Sequence, residues 1–490
     1  MTIHIDLEES VQERALIKPF ALIGSQWKDG ERKFAVSNPA NDQVIAHVTD
    51  VGQDEILEAI DHAHHAFLTF KATSEYERAA MLKRWASLVR QHSRSLSRIL
   101  TLENGKTLAE AEAEVEYGAS YLDWFAEEAI RSNGDVIPSR TPATANIVIR
   151  QPVGVCAIIA PWNFPIAMIT RKLGPAIAAG CTAVVKPPRE TPLCTSALGY
   201  LALQAGIPPG VIQITPCTDR IATAHLYTHP MVRKVSFTGS TNVGKKISEK
   251  AVCSMKRISM ELGGNAPFIV FDDADVDKAV EGVVSCKFRG SGQTCVCANL
   301  LYVQRGVHDL FTERLAARMR TFVVGSGLDP NVTHGPLVNQ AAVLKVKSHI
   351  DDALAKGATL VMGGGILERP GFFIEPALIT GVTGDMTVTR EETFGPLAAI
   401  RKFDTVEEVV DMANNTEFGL AGYFFSANLQ TIWRVAKALE VGMVGVNTGK
   451  ISAAEVPFGG VKESGFGREG SKYGLIEYQV MKTITLGGLQ

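Results

Sequence analysis

Residues 153–262 carry five short apolar runs: VGVCAIIA (153–160), TAVVKP (182–187), VIQIT (211–215), VRKVSFTG (232–239) and KRISMEL (256–262). Between them lie stretches of helical character near 166–179, 192–205, 219–228 and 241–252. Strand and helix in alternation imply parallel strands joined by crossovers, hence a doubly wound α/β sheet. In such a sheet ligands sit beyond the carboxyl ends of the strands. That rule directs attention to the polar residues that follow each run.

Upstream, residues 54–130 show apolar positions at helical spacing, in DEILEAIDHAHHAF, ERAAMLKRWASLVRQH and an Ala/Glu-rich run from Leu108 to Ile130. Asn133 to Pro142 is a polar break. Downstream, a second α/β block begins near Asn265 with APFIVF and continues through LLYVQ, a long helix from 307 to 321, ATLVMGG and MVGVNTG. The last segment, Glu477 to Leu486, alternates like a strand and has no evident partner nearby.

At 490 residues the length suggests about three domains. A net charge of -3 provides no footprint for nucleic acid or an anionic membrane, so anion recognition must be local. MTIHIDLEES at the N-terminus is acidic and lacks the apolar core of a signal peptide. Eight cysteines scattered through apolar segments fit a reducing compartment, and the expected location is cytoplasmic. No C-x-x-C pair is followed by a second pair or by spaced histidines, which argues against a metal site.

Several run ends carry polar groups. Asn163 sits in Pro161-Trp162-Asn163-Phe164-Pro165, Lys186 ends TAVVK, and Gly239-Ser240 join a strand to a helix whose N-terminus suits an anion. Glu261 precedes Leu262-Gly263-Gly264. Beyond them, Gly292-Gln293-Thr294-Cys295-Val296-Cys297 places two thiols behind a glycine turn. A thiol is a nucleophile only as its thiolate, so Cys295 needs help from its surroundings. Gly465-Phe466-Gly467-Arg468-Glu469-Gly470 matches a dinucleotide fingerprint by pattern but lacks the strand–helix context that fingerprint requires.

Taken together, PWNFP (161–165), VVKP (184–187), SFTGST (236–241), MELGGN (260–265), GQTC (292–295), EETFGP (391–396) and PFGG (457–460) resemble the aldehyde dehydrogenase superfamily, in its order and over nearly the whole chain. KFRGSGQTCVCAN, ITRKLGPA and GREGSKYG are similar more narrowly to the succinate-semialdehyde dehydrogenase group. The resemblance implies a Rossmann-type cofactor domain (1–132 and 151–261), an α/β catalytic domain (262–442), a returning segment (443–469) and a small β oligomerisation element (133–150 and 470–490). It implies Cys295 as nucleophile, Asn163 in the oxyanion hole, Glu261 as the base for thioester hydrolysis, and Lys172 with Glu469 as a proton-relay pair. Trp162, Lys186, Arg189, Gly239, Ser240, Glu392 and Phe394 are implied in cofactor binding. Arg171, Arg289, Ser452 and Phe458 are implied around a carboxylate-bearing substrate.

Three positions depart from the group. Lys450 replaces a small apolar residue and keeps other short anionic aldehydes open, such as glutarate semialdehyde or sulfolactaldehyde. Arg189 replaces a Glu or Ser, which favours NADP, with NAD as the alternative. Thr215-Pro216-Cys217-Thr218 replaces a glycine-rich turn. Cys295 and Cys297 could oxidise to a disulfide, so Cys297 is either a redox regulator or a packed small residue. A non-catalytic member of the fold is the remaining alternative. The expected assembly is a homo-oligomer, a dimer or tetramer, with no nucleic acid or membrane partner.

Overall fold

A computed structural model describes residues 11–489. The acidic N-terminal decapeptide lies outside them. Two sheets organise the chain. The first runs in the spatial order Gln26–Lys28, Ala21–Ile23, Ile212–Ile214, Thr182–Lys186, Val155–Ile159, Val232–Thr238, Arg257–Glu261, Gly465–Phe466. Its five inner strands, Ile212–Ile214 to Arg257–Glu261, are parallel. All five come from the runs at 153–262, each close to its expected bounds. The crossover helices are Ala167–Ala179, Pro192–Gln204, Arg220–Thr228 and Thr241–Val252.

The second sheet has the order Thr359–Met362, Ala377–Thr380, Leu397–Phe403, Ala298–Gln304, Ala266–Val270, Ala421–Phe425, Met443–Val446. It is parallel except at the first pair. Strands buried on both faces read as continuous apolar runs, as Ala266–Val270 and Ala421–Phe425 do. Aromatic stacking of Phe268 on Tyr423 and Phe425 ties the middle of this sheet together.

The helical stretch resolves into four helices, Gln53–Phe70, Glu75–Gln91, Ser93–Asn104 and Leu108–Ile130. Ser74 and Thr107 form capping boxes with Glu77 and Glu110, which fixes where two of them start.

Two expectations change. The polar break contains a short strand, Asp135–Ile137, and the unpaired C-terminal segment has a partner. Gln479–Leu486 pairs antiparallel with Ala145–Pro152 over eight residues, and Asp135–Ile137 adds to the other edge. Strands more than 300 residues apart leave no local signature of their pairing. Val136 and Met481 project from this sheet largely exposed. No helix among the described residues is long and apolar enough to cross a membrane.

Candidate active site

The polar run ends converge where the two sheets face each other. The Asn163 loop follows the strand Val155–Ile159, and three side chains hold its backbone. Asn104 Nδ2 donates to the Trp162 carbonyl at 2.9 Å, and Lys106 Nζ donates to the Asn163 carbonyl at 2.9 Å. Lys106 is also paired with the buried Glu114, whose Oε1 accepts the Ile166 N–H at 2.9 Å. Glu114 thereby satisfies free donors at the start of the helix Ala167–Ala179. Asn163 itself is buried, and its Nδ2 donates to the Gln293 carbonyl at 3.0 Å. An amide nitrogen carries two hydrogens, so one remains for a ligand.

Sequence reasoning missed Asn104, Lys106 and Glu114. A signal was present: Glu114 falls in register with Ala111, Val115 and Gly118, the apolar face of its helix. A carboxylate on a core face needs a partner.

Cys295 lies beyond an irregular turn. The helix Val276–Val283 passes into a wider π-type turn, Val284–Phe288, which buries Lys287. Gly290, Ser291 and Gly292 then adopt positive φ. At Gly292 the requirement is strict, because a Cβ there would stand 2.3 Å from the Gly395 carbonyl oxygen. Gln293 Oε1 accepts the Val338 N–H at 2.9 Å and anchors the far side. The Cys295 backbone N–H makes no hydrogen bond among the described residues.

The Cys295 side chain is partly exposed. Burial of its surroundings pushes the thiol up to about 12; Arg171 and Arg289 pull it down, while Glu392 and Glu261 oppose them. Without cofactor the thiol is therefore protonated at neutral pH. Below its pKa the thiolate fraction rises about tenfold per pH unit, so alkylation of Cys295 by iodoacetamide should climb about tenfold per unit between roughly pH 7 and 10. A rate that levels off by about pH 8 contradicts this electrostatic picture.

Glu261 ends its strand in a buried position, and neither carboxylate oxygen has a hydrogen-bond partner among the described residues. Burial, then repulsion from Glu469, holds its carboxyl well above the usual range. Gly459 leaves it room, since a Cβ there would stand 2.9 Å from Glu261 Oε1. Glu469 pairs with both Arg171 and Lys172. Burial alone raises the Glu469 carboxyl, and the two cations outweigh it to leave it lowered. The Gly465–Gly470 run is thus no dinucleotide fingerprint. Gly465–Phe466 pairs antiparallel with Met260 and Glu261, and the run delivers Glu469 beside them.

Arg171 and Arg289 both lie close enough to the thiol to act on it electrostatically. Arg171 stacks on Phe458 at 4.3 Å, and Arg289 lies over Phe164 at 5.3 Å. Arg171 Nη2 and Arg289 Nε are buried donors without a hydrogen-bond acceptor among the described residues. Arg289, Ser452, Phe164 and Tyr117 line a cavity of about 270 Å³. A side pocket of about 60 Å³ adjoins it, bordered by Arg289, Ser452, Cys286 and Lys450. Cys297 is buried and turned away, its Sγ donating to the Lys287 carbonyl at 3.2 Å.

On the other side, the first sheet offers a set of groups suited to a dinucleotide. Ser240 precedes the helix Thr241–Val252 without capping it through its side chain; its carbonyl accepts the Val243 and Gly244 N–H groups, and the Thr241 and Asn242 N–H groups have no partner among the described residues. Lys186 ends its strand, its side chain making no hydrogen bond among the described residues, and burial lowers its ammonium. Arg189 is exposed in the following loop. Gly239 N–H donates to the Glu261 carbonyl at 3.1 Å, tying this turn to the strand end that carries Glu261. Glu392 accepts the Gly264 N–H at 3.3 Å, and burial pushes its carboxyl up to about 7. Trp162 and Phe394 meet edge to face at 5.6 Å. The turn Thr215–Thr218 is tied down instead of glycine-rich: Thr218 N–H donates to Asp50 at 2.8 Å.

The aldehyde dehydrogenase family profile matches residues 27–484. The chain belongs to the aldehyde dehydrogenase family. It is 50% identical to the NADP(+) succinate-semialdehyde dehydrogenase of Escherichia coli K12 over 474 residues, 96% of this chain and 98% of that one. It is also 50% identical to the mitochondrial succinate-semialdehyde dehydrogenase of Homo sapiens, covering 97% of this chain and 90% of the relative. The crystal structure of succinate-semialdehyde dehydrogenase from Burkholderia pseudomallei superposes with a TM-score of 0.96 at 48% identity, covering 98% and 100% of the two chains. Family membership and the Rossmann-like α/β architecture therefore stand as the sequence motifs implied.

Proposed function

We propose that this family member oxidises succinate semialdehyde to succinate, with NADP preferred over NAD. The observation that carries the substrate reading is the pair of unpaired guanidinium donors, on Arg171 and Arg289, beside the Cys295 thiol. A short aldehyde whose far end is a carboxylate satisfies both while its carbonyl reaches the sulfur. Ser452 adds a hydroxyl at the same cavity, and Phe458 walls it. Arg189 and Lys186 support the choice of NADP, since a ribose phosphate complements two cations at that sheet end.

The steps follow from the placement of the residues. Cys295 Sγ gives its proton to solvent, which its partly exposed position admits, and bonds to the aldehyde carbon. The carbonyl electron pair moves to oxygen, where the free Asn163 Nδ2 hydrogen and the Cys295 backbone N–H hold it; such a donor is typically worth about 3–4 kcal/mol. A nicotinamide dinucleotide bound there supplies the two-electron acceptor for the aldehyde C–H hydrogen and its bonding pair. What remains on Cys295 is a thioester. Glu261, its carboxyl raised by burial, takes a proton from water as the oxygen adds, and collapse breaks the C–S bond to release the acid. Lys172 and Glu469 stand behind it to pass that proton on.

A panel of semialdehydes, with NAD and with NADP, tests this reading. A hydrogen bond to a charged group is worth about 1.5–3 kcal/mol, so Arg289→Ala should raise KM for succinate semialdehyde by roughly 10- to 150-fold and leave a neutral aldehyde of equal length nearly unaffected. Equal use of neutral and anionic aldehydes by the unaltered enzyme contradicts the clamp, and strong preference for NAD contradicts the role of Arg189. Lys450, on the side pocket, favours a second reading in which the tail is longer or is a sulfonate. In that case glutarate semialdehyde or sulfolactaldehyde leads the same panel. The exposed sheet built from Asp135–Ile137, Ala145–Pro152 and Gln479–Leu486 supports a homo-oligomer, which a monomeric mass by light scattering contradicts.

A further inference from the structure

The strand Val232–Thr238 sits inside the first sheet and its neighbour Arg257–Glu261 lies next to the short edge strand Gly465–Phe466; parallel strands of such a sheet are ordinarily apolar on both faces. These two are not. Their register pairs Lys234 with Arg257, Ser236 with Ser259 and Thr238 with Glu261. Alternate residues of a strand share a face, so these six polar side chains form one continuous stripe. Val235, Phe237, Ile258 and Met260 occupy the opposite face and pack into core. Lys234, Ser236, Thr238, Ser259 and Glu261 are all buried, Lys234 completely at 0% exposure.

The stripe starts at the base and ends near solvent. At the inner end Lys172 Nζ donates to Thr238 Oγ1 at 2.7 Å and pairs with Glu469, the neighbour of Glu261. Midway, Ser236 stands between Thr238 and Lys234 on the same face, and Lys234 Nζ lies 4.7 Å from the centre of the Tyr478 ring. Lys234 Nζ donates to Ser259 Oγ at 2.5 Å, and Ser259 Oγ donates to Glu477 Oε2 at 2.8 Å. Glu477 also meets Lys234 at 3.6 Å and Arg257 at 3.7 Å, and its side chain is 20% exposed. Thr238 to Lys234 spans about 13 Å at strand rise, so the stripe reaches well away from the cleft.

Oxidation of an aldehyde with water yields a carboxylate, the reduced dinucleotide and two protons. One of them arrives on Glu261 in each turnover, on a carboxyl with no hydrogen-bond partner among the described residues. We propose that this polar stripe is the route by which that proton leaves, through Lys172 and Glu469, then Lys234 and Ser259, to exchange with solvent at Glu477. The proposal rests on Glu261 acting as the hydrolytic base. Burial lowers the Lys234 ammonium to about 8, with Glu477 and Cys156 opposing that shift and Arg257 and Lys172 adding to it. A group in that range can both accept and release a proton at neutral pH.

The competing explanation is mechanical: Ser259 and Glu477 clamp the C-terminal segment to the sheet. Steady-state and first-turnover kinetics of the full-length enzyme with succinate semialdehyde and NADP separate the two. Glu477→Gln should lower kcat about tenfold, less than the roughly hundredfold lost with a group that meets the reacting atoms. It should leave the first-turnover formation of NADPH and kcat/KM unchanged, so that KM falls with kcat, enlarge the solvent deuterium isotope effect on kcat, and regain turnover in imidazole buffer. Ser259→Ala, which removes one hydroxyl, should behave alike and carries the comparison if Glu477→Gln folds poorly. A loss of kcat with no buffer rescue and no isotope change, or unaltered kcat in both variants, overturns the route. If Glu261→Gln blocks hydrolysis while these variants turn over normally, only the route falls. Full turnover by Glu261→Gln overturns the route together with the assignment of the base.

Discussion

Replacing Cys295 with alanine should remove aldehyde oxidation by roughly 10⁴-fold or more, because a nucleophile that splits one step into two has no substitute in the site. The nearest thiol, Cys297, cannot take over in place. It is buried, its Sγ is held by the Lys287 carbonyl, and its thiol is pushed up by burial. Lys186, Arg189, Gly239 and Ser240, proposed to hold the cofactor, lie at strand ends of the first sheet, and none of them hydrogen-bonds Cys295 among the described residues. NADP affinity should therefore survive the substitution, measured by quenching of intrinsic fluorescence. Retained turnover would assign the chemistry elsewhere, and lost cofactor binding would mean the loop had collapsed.

Glu261→Gln should act on a different half of the cycle. The amide cannot accept a proton from water, and removal of a general base costs roughly 10²- to 10⁴-fold. Thioester formation does not need it. One equivalent of NADPH per site should appear in a rapid burst, followed by slow turnover. The exchange also replaces a buried acid with a neutral group of equal shape, at a position where burial already opposes charge. Thermal stability should thus change little. A variant lacking the burst would place Glu261 in the first half-reaction.

The parallel sheet was legible because each inner strand is a short apolar run with its own crossover helix. The site was legible for the same reason. Asn163, Lys186, Ser240 and Glu261 all follow such runs, and ligands gather at that end of the sheet. Three things could not be read locally. The support of the Asn163 loop by Asn104, Lys106 and Glu114 depends on helices packing against a loop some fifty residues away. The partner of the C-terminal strand lies more than 300 residues upstream. The run Gly465–Gly470 was rightly no dinucleotide fingerprint, but its true neighbour could not be read, because a pattern of glycines records close backbone approach without saying to what. Here Gly465 approaches the Met260 carbonyl, where a Cβ would stand 1.9 Å away.

The polar stripe beside Glu261 shows the converse. Its residues were in plain view in VRKVSFTG and KRISMEL, with polar groups at every second position. Read singly, each run is an ordinary strand with one solvated face. Only the register of the two strands, and the burial of Lys234 between them, shows that this face has no solvent.

The central claim is that substrate carbon is carried on Cys295 and released by Glu261. Mass spectrometry of Glu261→Gln after brief exposure to succinate semialdehyde and NADP tests it most directly. The account predicts a succinyl thioester on the peptide that contains Cys295, located at that residue and absent when Cys295 is also changed to alanine. No acyl adduct, or one carried by Cys297, would contradict it.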